Sequence, residues 1–474
     1  MDRKYSSDRL TEGPIMRSLI ALAVPIIFAN VLQTAYQLVD TFWVGRLGHE
    51  AVAAVSLSFP FIFLLISLGG GLAIAGTILV AQYQGKGEKK SVDHIASQTL
   101  LMMFIVSLLL SVIGYYLSPG LMTLMGAEPD VFDDAVSYLQ ISFLGLVFMF
   151  AYFVYQSLMR GVGDVKTPMY LVLCTVLLNL IFDPLFIFGY GPIPGYGVTG
   201  AAIATIGTQG IASVIGVSML ISGRYGVQVH TKDLKPDAEL IRKMFRLGLP
   251  SSVEQSTRSL GIAVLTLLVA SFGTITVAAY GIGSRVLSFV IIPALGLSMA
   301  TSTLVGQNIG AGKTERAVRI TKMSTRIGFI SLTLAGIVIF FLAEPLSAFF
   351  IPGETEAIRS SATFIRIMAL TFGFMGMQQV LTGAFRGAGD TFVAMVLAIV
   401  TLWMLQFPLS YVLSKHTTLA ENGIWWAFPV TNIIAAAISV AYFHKGGWKE
   451  RSMTEEIRIT EQITEESIIE EGIM

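Results

Sequence analysis

The sequence predicts an all-α integral membrane protein, with twelve transmembrane helices in two six-helix bundles related by a parallel internal repeat. Three observations carry this. The chain is 54% hydrophobic and 13% charged, about half the charge of a typical soluble protein. Apolar runs of roughly 20 residues, long enough to cross a bilayer, recur along its length. The second half of the sequence also repeats the first. The formal net charge is zero, so no nucleic-acid partner is implied. The single cysteine, Cys174, excludes an internal disulfide and reads as a small apolar helix residue.

The elements follow in order. The opening stretch MDRKYSSDRLTEGPIMRSLIALAVPIIFAN has a long apolar run and no small-residue cleavage pattern. It reads as the entry to the first membrane helix rather than as a removable signal. Spans are expected at about 17–43, 52–83, 94–117, 134–159, 167–189, 198–222, 244–270, 277–307, 323–343, 358–385, 391–413 and 423–444. All must be helices, because lipid offers the backbone no hydrogen-bond partners. The expected organisation is a first bundle over 1–222, a basic linker over 223–243, a second bundle over 244–445, and a soluble acidic tail over 446–474. The tail, ERSMTEEIRITEQITEESIIEEGIM, reads as a disordered or weakly helical segment.

Charge orients the spans. One side collects Arg3, Lys4, Arg9, Arg17, Lys86, Lys89, Lys90, Arg160, Lys166, the basic 224–246 connection, Lys313 to Arg326, Arg386 and Lys445. The other side has Arg46, Arg359, Arg366 and Lys415, with the acidic run Glu128, Asp130, Asp133 and Asp134. The positive-inside rule then puts both termini in the cytoplasm and the chain in the cell membrane.

A shift of 225 aligns the halves without a gap: Pro25 falls on Pro250, Gln82 on Gln307, Gly85 on Gly310 and Gly87 on Gly312. Further on, MRGVGD (Met159–Asp164) matches FRGAGD (Phe385–Asp390) at a shift of 226. Each half holds an even number of spans, so the copies share one topology, as in transporters that rock two bundles about a central site. The repeat also explains GQNIGAGKT. A phosphate-binding loop needs glycine five residues before Gly312, where Gln307 stands, and the first-half copy AQYQGKGE has no Lys-Ser/Thr pair. Both copies read as glycine-rich helix ends. With no ATP site in view, the energy source is expected to be an ion gradient or the substrate's own gradient.

The two matching halves, Pro25 and Pro250, the Q-x-x-G-x-G helix ends and the paired RGVGD and RGAGD turns resemble the multidrug and toxic compound extrusion (MATE) transporters over roughly residues 14–445. The resemblance implies cation-coupled efflux of organic, often cationic and aromatic, compounds, by a monomer without enzymatic activity or a cofactor beyond H⁺ or Na⁺. A flippase for lipid-linked precursors, from the same superfamily, is the alternative. It should line its cleft with several cations, and only Arg258 and Arg285 qualify. A membrane enzyme is disfavoured, since none of the five histidines lies deep in a span.

Ionisable residues in mid-span are functional by default. They are Asp40, Asp183, Glu254, Arg258 and Arg285. Tyr36 and Asp40 lie four apart on span 1, and Asn179 and Asp183 four apart on span 5, so each pair shares a helix face. Each carboxylate lies about five residues before the outer end of its span. Two charged carboxylates in a low-dielectric bundle repel, and a proton or a Na⁺ ion held by Asp40, Asn179 and Asp183 relieves the repulsion. Tyr36, Asn179 and Thr205 on span 6 offer further oxygen contacts. Pro25 and Pro184 cannot donate backbone bonds and can bend their helices in response. The repeat puts Leu265 at the place of Asp40, and Trp403 and Phe407 at those of Asn179 and Asp183, so a purely structural need for the acids is not repeated. YQLVD and NLIFDP resemble the cation site of the DinF-like branch, which implies coupling roles for Tyr36, Asp40, Asn179 and Asp183. In the second half, Glu254 and Arg258 lie four apart in ion-pair order. They are expected either to form a structural pair or to make a substrate or second coupling site, with Arg285 as a third member. Asp164 and Asp390 read as helix-end structure beside Arg160 and Arg386.

Overall fold

The computed structural model describes residues 10–450 and 453. The first half comprises α1 (Ile15–Gly45), α2 (His49–Lys86), α3 (Lys89–Leu124), α4 (Pro129–Leu144 continuing as Leu146–Val162), α5 (Lys166–Phe188) and α6 (Gly197–Ser222). A small hairpin of β1 (Gly189–Tyr190) and β2 (Ile193–Pro194) joins α5 to α6. The second half comprises α7 (Ala238–Ala270), α8 (Thr274–Gly310), α9 (Thr314–Phe350) and α10 (Thr355–Ala369 continuing as Phe372–Gly387). It closes with α11 (Thr391–Lys415) and α12 (Glu421–Lys445).

Among the described residues, nine helices are long and apolar enough to cross a membrane, and the two bent pairs raise this to eleven. The twelfth, α7, is long enough at 33 residues, but a run from Ser251 to Ser259 makes it polar. Ser251, Ser252, Glu254 and Thr257 on that run are buried in protein, so its polar face avoids lipid. Outward-facing side chains elsewhere are large and apolar, as at Leu38, Leu267 and Phe341. A hydrocarbon surround explains their exposure.

Three features depart from straight spans. Helix α4 bends by 45° at Gly145, where α6 comes close enough that a β-carbon would lie 2.4 Å from Ile206. Helix α10 bends by 53° between its two rods. Helix α11 contains a π-helical stretch, Val400–Gln406, just before Pro408. Proline has no N–H to continue the regular ladder, and a wider turn accommodates the loss. Helix α7 also begins earlier than expected, inside the linker, because Asp237 caps it by accepting from the N–H groups of Glu239 and Leu240. The rest of the linker is stitched to the start of α3. Gln228 N–H donates to Asp93, His230 N–H to the Ser97 hydroxyl, and the Gln98 amide to the carbonyls of Asp233 and Lys235. The acidic tail falls outside the described residues apart from its first few and Met453.

The halves interlock reciprocally. Helix α1 packs on α5 of its own half and on α8 of the other, while α7 packs on α11 of its own half and on α2 of the other. At the basic side, Gln82 Nε2 donates to the Gly387 carbonyl at 3.0 Å, and Gln307 Nε2 donates to the Gly161 carbonyl at 2.9 Å. Both glutamines are buried. Beside them the ends of α2 and α8 touch backbone to backbone. A β-carbon on Gly85 would lie 1.9 Å from the Gln307 carbonyl oxygen, and one on Gly310 would lie 1.8 Å from that of Gln82. Only glycine fits there. The helix-end reading of the two glycine-rich motifs holds: Gly87 and Gly312 follow α2 and α8 at φ of 82° and 70°. Gly163 and Gly389, at φ of 89° and 94°, do the same after α4 and α10.

Candidate functional site in the first bundle

The site is assembled by α1, α5 and α6, with α2 and α4 closing its sides. Gly45 ends α1 five residues after Asp40, and Phe188 ends α5 five residues after Asp183, so the carboxylates stand at matching depth. Asp183 and Asn179 are fully buried, and Asn179 Nδ2 donates to Asp183 Oδ1 at 2.6 Å. Asp40 instead lines a cavity of about 350 Å³ with Tyr36, Tyr138, Thr205 and Gln209. The two carboxylates are close enough to feel one another's charge, and Tyr36 and Tyr138 share that field.

Three oxygens of these residues are short of partners. Asp40 Oδ1, Asp183 Oδ2 and Asn179 Oδ1 are buried without a hydrogen bond. Unsatisfied buried acceptors are expensive, and a proton or a hard cation removes the penalty. Thr205 stands beside Asp40 and Tyr36. The Tyr36 hydroxyl bonds Thr208 Oγ1 at 2.8 Å. Thr208 was not singled out from the sequence, although it lies three residues from Thr205 and so on the same face. Pro25 and Pro184 lie inside α1 and α5, and both helices run through them unbroken.

In the second half, Glu254 is buried between two arginines. It accepts from Arg258 Nη2 at 3.2 Å and from Arg386 Nε at 3.0 Å, with a second bond from Arg386 Nη2. Arg258 also reaches Gln379 Oε1 at 3.5 Å. Arg386 was read from the sequence only as part of a turn. No local pattern in the sequence pointed to it, since Arg386 lies 132 residues from Glu254. Arg285 does not join this group. Its guanidinium lies over the Phe350 ring, 5.8 Å from the centroid, at the C-terminal end of α9. A long cationic side chain toward the end of a span extends to the interface rather than into the core. Asp164 and Asp390 are helix-end residues as expected: Asp164 accepts from Thr167 N–H at 3.1 Å, and Asp390 from the Tyr442 hydroxyl.

Comparison with known proteins agrees with this architecture. The MatE family model matches twice, over residues 25–185 and 250–412, once in each half. The chain is 30% identical to the probable multidrug resistance protein YoeA of Bacillus subtilis, over 94% of this chain and 97% of that one. It is 26% identical to the probable multidrug resistance protein NorM of Thermotoga maritima, over 94% and 96% of the two chains. A solved structure described as the outward-facing conformation of a multidrug resistance MATE family transporter superposes with a TM-score of 0.88. It is 24% identical and covers 94% of this chain and 98% of that one. The doubled family match, on a fold built from two interlocked six-helix halves, identifies the chain as a member of the MatE family of multidrug and toxic compound extrusion transporters.

Proposed function

We propose that the protein is a secondary multidrug efflux transporter that exchanges organic, often cationic and aromatic, compounds for inward H⁺ or Na⁺ by alternating access. One observation carries the reading. Asp40, one of whose carboxylate oxygens is buried without a hydrogen bond, lines a cavity of about 350 Å³, and the Asn179–Asp183 pair lies on α5, the helix packed against α1. The second copy has Leu265 in its place. Such a site changes charge when it takes a proton or Na⁺, and a cationic substrate at Asp40 competes for that charge. Tyr36 and Thr205 hold the carboxylate's surroundings, and Pro25 and Pro184 are the places where α1 and α5 can flex as occupancy changes.

In this reading the basic side faces the cytoplasm, and the working unit is a monomer in the cell membrane, without ATP or an enzymatic step. The lipid-precursor flippase is not favoured, since the relatives named above are multidrug resistance proteins. In addition, Arg258 is engaged by Glu254 and Arg285 lies over Phe350.

The test is dye efflux from proteoliposomes with a pH gradient and a Na⁺ gradient imposed separately. Efflux is expected under one of them, and Asp40→Asn is expected to reduce it to the background of empty liposomes while the protein stays inserted. Full efflux by that variant overturns the coupling role of Asp40.

A further inference from the structure

The repeat exposes a second asymmetry, opposite in sign to the first. In the second half, Arg386 is neutralised by Glu254. Under the alignment of the halves, Arg386 corresponds to Arg160 and Glu254 to Ala29. Arg160 therefore lacks the carboxylate that its twin has. Among the described residues it makes no hydrogen bond or ion pair. It lines a cavity of about 190 Å³, and Ala29 lies on the wall of the same cavity.

That cavity is rich in donors. Its lining contains no carboxylate, and it presents Asn30, Gln33, Tyr152 and Gln156 around Arg160. Asn30 Nδ2 and the Tyr152 hydroxyl are buried without a hydrogen-bond partner. Gln156 and Thr175 are polar neighbours of the Tyr152 hydroxyl. An unpaired guanidinium in a cavity that two residues with unsatisfied donors also line is complementary to an anionic oxygen group, which accepts several charge-assisted bonds at once. The cavity adjoins the one lined by Asp40, with Gln33, Tyr36, Gln37, Ile66, Met149 and Gln209 bordering both.

We propose that Arg160, with Asn30 and Tyr152, forms an anion-binding floor of the first-bundle cavity that takes the carboxylate or phosphate of an organic substrate. The inference rests on the transport reading for the identity of the ligand as a substrate, and adds to it a substrate class. An occupant spanning both cavities places its cationic part toward Asp40 and its anionic part toward Arg160. Zwitterionic aromatic compounds fit this polarity better than simple cations do.

The test is equilibrium binding to purified protein in detergent, read by fluorescence anisotropy. It needs no gradient, so a failure of the antiport reading leaves it intact. One probe pair is rhodamine 110, a free carboxylate, against rhodamine 123, its methyl ester. A second pair, FMN against riboflavin, presents a phosphate or none. The quantity compared is the affinity ratio within each pair. In the wild type the acid of at least one pair is expected to bind more tightly, and the pair that shows it identifies carboxylate or phosphate as the preferred group. Arg160→Gln is expected to lower that ratio about tenfold, the scale of one charge-assisted bond. Arg160→Lys is expected to retain most of it. Ala29→Glu installs the second half's arrangement and is expected to lower the ratio as Arg160→Gln does, which keeps the test sound if that variant folds poorly. Ratios that are the same in all four proteins overturn the proposal.

Discussion

At the scale of residues, the repeat turns individual side chains into controlled comparisons. Asp40 against Leu265 and Ala29 against Glu254 are differences between copies of one unit, and Asp40 and Ala29 each lie on the wall of a first-bundle cavity. Glu254 belongs to a different class. It is 1% exposed and held by Arg258 and Arg386, which are 36% and 12% exposed. Its removal strands two cations, one of them largely buried. Glu254→Gln is therefore expected to destabilise the folded protein by about 3 kcal/mol, whereas Arg258→Gln, at the exposed end of the trio, is expected to change stability by less than about 1 kcal/mol. Thermal unfolding in detergent separates the two, and equal shifts would show that Glu254 is not held as a buried pair. Much at this scale was legible in advance. Four-residue spacing put Tyr36 with Asp40 and Asn179 with Asp183, and helix ends fixed their common depth. The contacts of Glu254 with Arg386, 132 residues away, and of Tyr36 with Thr208, 172 residues away, depend on how helices pack. No local period encodes them.

At the scale of elements, α2 and α8 are defined by where they cross. Gly85 and Gly310 allow their backbones to touch, and the same contact fixes the positions of Gln82 and Gln307. Gly85→Ala and Gly310→Ala are each expected to destabilise the protein, because the added carbon meets backbone carbonyl and no side chain can move aside. Gly120 on α3 has nothing within 4 Å of the place its β-carbon would take. There Ala is expected to be neutral or slightly stabilising, since it favours helix. Melting temperatures of the three variants test this, and unchanged melting in the Gly85 and Gly310 variants would contradict the close crossing. The sequence revealed these helices by their hydrophobic length and showed the glycines as helix punctuation. It did not reveal the bends in α4 and α10, which have no proline at the break. For α11 it held a clue in Pro408, next to the π-helical stretch.

At the scale of the whole molecule, the halves are joined on the side where the described chain ends lie. Asn308 Nδ2 donates to the Leu10 carbonyl at 3.2 Å, Lys313 pairs with Glu12 at 3.0 Å, and Arg316 donates to the Gly13 carbonyl. Gln82 Oε1 accepts from Met453 N–H at 2.7 Å, while the equivalent oxygen of Gln307 has no partner. The glutamine bonds hold that side shut. Gln82→Ala and Gln307→Ala each remove about 1 kcal/mol from the closed arrangement. Both are expected to populate a state with the basic ends of α4 and α10 farther apart. Distances between spin labels at those ends measure this, and an unaltered distribution in the double variant would exclude a latching role. The repeat made the two-bundle plan readable from the sequence. The exchange of α1 and α7 across the seam was not readable, because an alignment of copies does not say which copy a helix packs on.

That exchange has a consequence for how the two copies have been free to change. Each half keys into the other through the same glutamine, glycine and turn, so a substitution at Gln82 or Gly161 alters a joint whose mirror joint stays as it was. The seam is thereby constrained to remain two-fold. The interiors face no such requirement, and there the copies differ: the first lines its cavities with Asp40 and Arg160, and the second has Leu265 packed in an apolar cluster beside Phe407 and Glu254 held between two arginines. Duplication here left a joint that is the same in both directions and two interiors that are not.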